Sequence, residues 1–143
     1  MAAATILIVD DEADFSEVVA ERLRGRGFDV DTAESGPEAL EKAKGRTYDA
    51  IVLDLAMPDM DGIETLTRLL EIDKNLQVIM LTGRATVQKG VEAIKLGAVD
   101  FLEKPADITA LVGKVTAAQQ KRMAMFESDL EKKMSNLMKK KGW

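Results

Sequence analysis

The stretch Ile51 to Gly62, IVLDLAMPDMDG, joins an apolar run to a carboxylate and then to a loop punctuated by Met57-Pro58 and Asp61-Gly62. The run Ala50 to Leu53 reads as a buried strand, because a short, unbroken, partly β-branched segment suits a strand covered on both faces. Asp54 stands at its end. An aspartate in that position is ordinarily a turn residue whose side chain bonds nearby backbone, so Asp54 alone decides little. A second apolar strand, Ile6 to Val9, also ends in acids: Asp10, Asp11 and Glu12. If the two strands are parallel neighbours, three or more carboxylates converge on one edge of the sheet.

Outward from that stretch the chain alternates between two periods. Thr5 to Val9 is the first strand, and Asp14 to Arg24 carries Phe15, Val18, Val19 and Leu23 at the spacing of one helix face, ended by Gly25 and Gly27. Phe28 to Thr32 alternates as a half-exposed strand does. Ser35-Gly36-Pro37-Glu38 is a capping box that opens a helix through Ala39, Leu40 and Ala43, closed by Gly45. Beyond the central strand, Ile63 to Ile72 predicts a helix with Ile63, Leu66, Leu69 and Leu70 on one side. Gln77 to Leu81 is a fourth strand, and Val87 to Leu96 a helix with Val87, Val91 and Ile94 along it. Val99 to Leu102 is a fifth strand, and Asp107 is the N-cap of a last helix bearing Ile108, Leu111, Val112 and Val115. Five strands alternating with five helices through short links predict an α/β, doubly wound parallel sheet with helices on both faces. In such sheets ligands bind beyond the carboxyl ends of the strands, where strand order reverses. Asp10, Asp11, Asp54, Thr82 and Lys104 all reach that edge.

Composition narrows the chemistry. The chain has 143 residues, enough for one core, and neither cysteine nor histidine. Thiolate metal sites, disulfides, Ser-His-Asp triads and histidine-zinc sites are therefore absent. The apolar runs fall far short of the roughly 18 residues of a membrane span, and no basic segment precedes the first of them, so a cytoplasmic protein is expected. Residues 1–120 hold 22 acids and 13 bases, whereas residues 121–143 hold 3 acids and 7 bases. A body this acidic argues against direct DNA binding.

Asp10-Asp11 after the first strand, Asp54 followed by Met57-Pro58 and Asp61-Gly62, Thr82 after the fourth strand, and Phe101 with Lys104-Pro105 at the fifth together resemble the receiver domain of two-component response regulators. The resemblance covers about residues 4 to 120 and implies a flavodoxin-like five-stranded sheet of order 2-1-3-4-5 with five helices, the last of them extended. Each fragment is common by itself, but their order and their placement at four strand ends make the set specific.

The resemblance implies a role for each residue. Asp54 would be the phosphoacceptor, taking a phosphoryl group from a histidine kinase or phosphotransfer protein. Mg²⁺ would be held by Asp11, Asp54 and the backbone carbonyl of Ala56, with Asp10 acting through water. Crowded carboxylates favour such a hard divalent cation, since it relieves their repulsion. Lys104, Thr82 and Gly83 would contact the phosphoryl group, and Pro105 would take a cis bond. Thr82 and Phe101 would form a switch that alters the face of the fourth helix, fifth strand and fifth helix. Ala56 and Arg84 flank the path of a hydrolytic water, and slow self-dephosphorylation is the expectation there.

The reading divides the chain into a receiver domain, residues 1–120, and a C-terminal amphipathic extension, residues 121–143. Met123, Phe126, Leu130, Met134 and Leu137 recur in the extension at steps of three or four. Four readings stand for this stripe: a homodimer seam, a helix docking on an unknown downstream protein, a basic amphipathic segment lying on an acidic surface, and a solvated helix. No stretch is long enough for a DNA-binding domain, so the expectation is a stand-alone receiver. It is not expected to turn over an independent substrate. Two alternatives to the phosphorylation switch remain: a phosphate-independent interaction or dimerisation module, and an Mg²⁺-dependent aspartyl phosphohydrolase.

Overall fold

In the computed structural model, residues 4–55, 61–83, 87–105 and 107–140 are described. Five strands, β1 (Thr5–Val9), β2 (Asp29–Ala33), β3 (Ala50–Asp54), β4 (Val78–Thr82) and β5 (Asp100–Glu103), alternate with helices α1 (Ala13–Arg24), α2 (Gly36–Gly45), α3 (Gly62–Ile72), α4 (Val87–Lys95) and α5 (Ile108–Lys140). The strands form one parallel sheet in the order β2-β1-β3-β4-β5, the predicted order.

The two-residue period of the strands sorts their side chains to the two faces of the sheet. Leu7, Val9, Ile51, Leu53, Val78 and Met80 pack on one face with Leu40 of α2, Leu66 and Leu69 of α3 and Ala93 of α4. Ile6, Ile8, Val30, Val52, Ile79 and Leu81 pack on the other with Ala20 and Leu23 of α1 and Leu111, Val115 and Ala118 of α5. Burying each large aliphatic contributes about 1.5–3 kcal/mol, so the central strands are pinned in register from both sides.

Register carries that precision to the sheet edge. Val9 lies beside Leu53, Asp54 beside Leu81, and Thr82 beside Glu103. The residues that follow or close these strands, Asp10, Asp54, Thr82 and Lys104, are thereby brought to one rim. Gly62 at the start of α3 makes the turn behind Asp54 possible: a Cβ there would lie 2.6 Å from the Leu55 Cα and 2.9 Å from the Asp54 carbonyl oxygen. Asp61 caps α3, accepting from Ile63 N at 2.6 Å and Glu64 N at 3.2 Å.

Several local expectations shift. The strands β2, β4 and β5 each sit one residue later than the apolar pattern suggests, because pairing rather than hydropathy sets their ends. Asp54 is itself the last residue of β3. In α2 the Ser35 hydroxyl accepts from Glu38 N, but the Glu38 carboxylate reaches Glu34 N. Val18 is 52% exposed, since the inward line of α1 runs through Ser16, Val19, Ala20 and Leu23 and Val18 lies on the far side of Phe15 from it. Val91 and Ile94 are likewise exposed, while the small residues Gly90 and Ala93 face inward and let α4 approach the sheet closely. The side chain of Val87 lies outside the described residues.

The helix α5 runs unbroken for 33 residues, through the expected boundary at residue 120. Its buried line, Leu111, Val115 and Ala118, extends one turn to Arg122, which is 2% exposed. Arg122 reaches the amino edge of the sheet, with Nη2 2.8 Å from Asp73 Oδ2 and Nε 3.8 Å from Asp49 Oδ1. Asn75 donates to Asp129 at 3.2 Å and Gln77 to the Met125 sulfur at 3.4 Å, so the first turns of the extension are held against that edge. Met123, Phe126, Leu130, Met134 and Leu137 remain exposed on the helix. Among the described residues no helix is long and apolar enough to cross a membrane.

Candidate functional site

Asp10 is fully buried at the end of β1, and its polar atoms are all engaged. Its N–H donates to Ala33 O at 3.0 Å, Oδ1 accepts from Glu12 N at 2.9 Å, and its carbonyl accepts from the Ser16 hydroxyl at 3.4 Å. The turn between β1 and α1 is thus tied to the carboxylate it presents. Asp54, 6% exposed, closes the neighbouring strand, and Asp11 stands exposed at the mouth. One carboxylate oxygen from each of Asp10, Asp11 and Asp54 fits within 4.8 Å of the others.

Among the described residues, Lys104 is the cation that faces this group. Lys104 Nζ lies 2.6 Å from Asp10 Oδ2 and 3.4 Å from Asp54 Oδ2. Burial pushes its ammonium toward the neutral form, but the hydrogen bond to Asp10 and the charges of Asp54 and Asp10 outweigh that and leave its pKa raised. The lysine is therefore held charged. Three carboxylate oxygens this close together form an all-oxygen set of the kind that suits a hard divalent cation. The Lys104–Pro105 peptide bond is cis, and Lys104 N donates to Thr82 O at 2.6 Å, which ties the lysine to the end of β4.

Thr82 is fully buried, and its hydroxyl donates to Leu102 O at 3.4 Å. Its methyl faces α4: a Cβ built on Gly90 would lie 3.1 Å from Thr82 Cγ2 and 3.4 Å from the Phe101 ring. Phe101 is half-buried against the core that contains Leu53 and Met80. Gly83 follows Thr82 at the same rim, half-buried.

The structure therefore brings together Asp10, Asp11, Asp54 and Lys104, with Thr82 and Gly83 at the end of the adjoining strand. Ala56, Met57, Pro58 and Arg84 lie outside the described residues. The tail stripe is remote from this rim, since α5 meets the amino edge at Arg122. Gly62 is visible in the sequence only as half of the Asp61-Gly62 turn, and Gly90 carries no signal there, although backbone or side chains crowd both. It also places Phe15 simply in the core, although the ring faces Lys104 at 4.7 Å.

The sequence matches the model of the response regulator receiver domain over residues 6–116. It is 39% identical over 126 residues to the transcriptional regulatory protein PrrA of Mycobacterium leprae, covering 88% of this chain and 54% of that protein. It is also 39% identical over 106 residues to ZraR of Escherichia coli O157:H7, covering 74% of this chain and 24% of that protein. The chain thus spans about half the length of PrrA and a quarter of ZraR. Among solved structures, a CheY-like response regulator receiver domain protein from Methanospirillum hungatei JF-1 superposes with a TM-score of 0.81 at 26% identity, covering 86% of this chain and 98% of the other.

Proposed function

The chain belongs to the response regulator receiver domain family, and from that premise we propose that it is a phosphorylation-switched signalling module with Asp54 as phosphoacceptor. The observation that carries this reading is the cluster of Asp10, Asp11 and Asp54 at one sheet edge with Lys104 against it. A donor with a phosphohistidine fits because the chain has no histidine of its own. An Asp54 carboxylate oxygen would attack phosphorus as the N–P bond breaks; the imidazole nitrogen keeps the electron pair and takes a proton from solvent. Lys104 would leave its carboxylate partners in part to meet an equatorial phosphoryl oxygen.

Asp10, Asp11 and Asp54 have the all-oxygen chemistry that suits Mg²⁺, with the Ala56 carbonyl as the further ligand implied by the family. When bound, the ion would offset charge on the phosphoryl oxygens.

A new charge of about −1.5 to −2 on Asp54 would draw the Thr82 hydroxyl from Leu102 O toward the phosphoryl group, with Gly83 N–H as a second donor. Phe101 would follow inward into the space that Thr82 vacates, altering the α4, β5 and α5 face. Residues 1–120 would act as receiver and residues 121–143 as extension. The exposed tail stripe supports a protein contact there, with a downstream protein or with a second copy of the chain. The acidic body favours protein rather than DNA as its own partner, in the cytoplasm. Transfer from a ³²P-labelled histidine kinase tests the reading: label on wild type and none on Asp54→Asn is expected. Steady release of phosphate from small esters would instead favour a phosphohydrolase, and no label with an intact fold would favour a phosphate-independent module.

A further inference from the structure

The lysine at the rim has a neighbour that the charge chemistry does not account for. Lys104 is a side chain on a flexible four-carbon stem, with rotamer entropy to lose. Its ammonium carries three N–H donors, and the two carboxylates approach it from Asp10 and Asp54. The Phe15 ring also meets it, with Nζ 4.7 Å from the ring centroid, inside the range of about 6 Å at which a ring face attracts a cation.

Phe15 is well placed to fix that contact. It lies in the first turn of α1, and the same turn is fastened to Asp10 through Glu12 N and the Ser16 hydroxyl. Its ring packs against the same buried sheet face, with Ile8, Ala20 and Leu81, on which Leu102 and Ile108, the apolar residues on either side of Lys104 in sequence, also pack. The ring is therefore fixed relative to Asp10 through the first turn of α1 and relative to the sheet through that face.

We propose that Phe15 is a positioning residue for Lys104, its ring face holding the ammonium against Asp10 and Asp54 so that it is already aimed when a phosphoryl group arrives. This rests on the role proposed above for Lys104 in phosphoryl transfer. A purely structural Phe15 would be a core filler, and a leucine of similar bulk would replace it.

The test compares Phe15→Leu, Phe15→Tyr and wild type by two readouts. The first is the NMR shift of the Lys104 Hε protons, which a ring face moves upfield. The second is the rate of Asp54 phosphorylation by a small acyl phosphate with Mg²⁺, resolved into maximal rate and half-saturating donor concentration. Phe15→Leu is expected to lose the upfield shift and to lower the maximal rate by about fivefold, and Phe15→Tyr to restore both. Retention of the upfield shift and of the rate in Phe15→Leu would overturn the proposal. So would loss of the shift with an unchanged rate, because the ring would then touch the lysine without aiming it. A wild type that takes up no phosphoryl group overturns the phosphoacceptor reading instead, and the Lys104 shift still decides separately whether Phe15 holds the ammonium.

Discussion

At each end of the sheet carboxylates converge on one cation, and the two ends resolve the charge differently. At the amino edge Asp49 and Asp73 meet Arg122, whose guanidinium is buried by α5 and stacked 4.7 Å from the Phe126 ring. The acids there are about a third exposed, so water shares their charge and only the arginine is enclosed. At the carboxyl edge the order is reversed: Asp10 and Asp54 are enclosed, and the lysine is partly exposed. Both edges contain acid-base pairs. What separates them is that one has its cation sealed in, while the other has its acids sealed in and a cation that water still reaches. Burial of the acid rather than the base marks the edge that has chemistry to do.

The largest expected effect lies at the edge with the sealed cation. Arg122→Met keeps the apolar stem but strips Asp49 and Asp73 of their partner, and it should lower stability by about 2–3 kcal/mol in urea unfolding, below the range for fully buried pairs because both acids keep water. Loss of phosphorylation in a folded Arg122→Met protein would break the separation of the two edges. Mg²⁺ sharpens the contrast from the other side. At tenfold excess over its dissociation constant it should stabilise wild type by about 1.4 kcal/mol, an effect much reduced in Asp11→Asn and unchanged in Asp73→Asn. Without Mg²⁺ the two substitutions should differ in sign. Asp73→Asn should cost about 1 kcal/mol, as an arginine loses its partner, while Asp11→Asn should be neutral or gain a few tenths, as like-charge repulsion eases.

Much of this contrast is legible in the residues. The paired endings of ILIV and AIVL in acids locate the carboxyl edge, and the alternation of periods gives the parallel sheet, because both rest on local pattern; the order of its strands comes only with the resemblance to the receiver family. Arg122 is harder to see. It looks like part of a basic tail, yet Leu111, Val115, Ala118 and Arg122 follow one another at helical steps, a signal that the buried line of α5 continues into a charged residue. Phe15 has no such signal: its approach to Lys104 joins the first helix to the fifth strand, and only the packed sheet sets that distance. The outward turn of Val91 and Ile94 is also tertiary in origin, since Gly90 and Ala93 allow α4 to sit close to Thr82 and Phe101.

The smallest expected effect tests the slack around that switch. Gly90→Ala gains helix propensity and crowds Thr82 and Phe101, so net stability should stay within about 1 kcal/mol of wild type. Phosphorylation-dependent amide shifts in α4 and β5 should nonetheless shrink, as followed by two-dimensional NMR. Full-sized shifts in Gly90→Ala would place the moving parts elsewhere.

The carboxyl edge, with Asp10, Asp11 and Asp54 together, is proposed as a divalent-cation-dependent phosphoacceptor site. Intact-protein mass after incubation with a small acyl phosphate tests it most directly, with Mg²⁺ or with EDTA, in wild type and Asp54→Asn. The account predicts the gain of one phosphoryl group in wild type with Mg²⁺ and in no other sample. A wild type of unchanged mass with Mg²⁺, or an adduct that persists in Asp54→Asn or in EDTA, would contradict it.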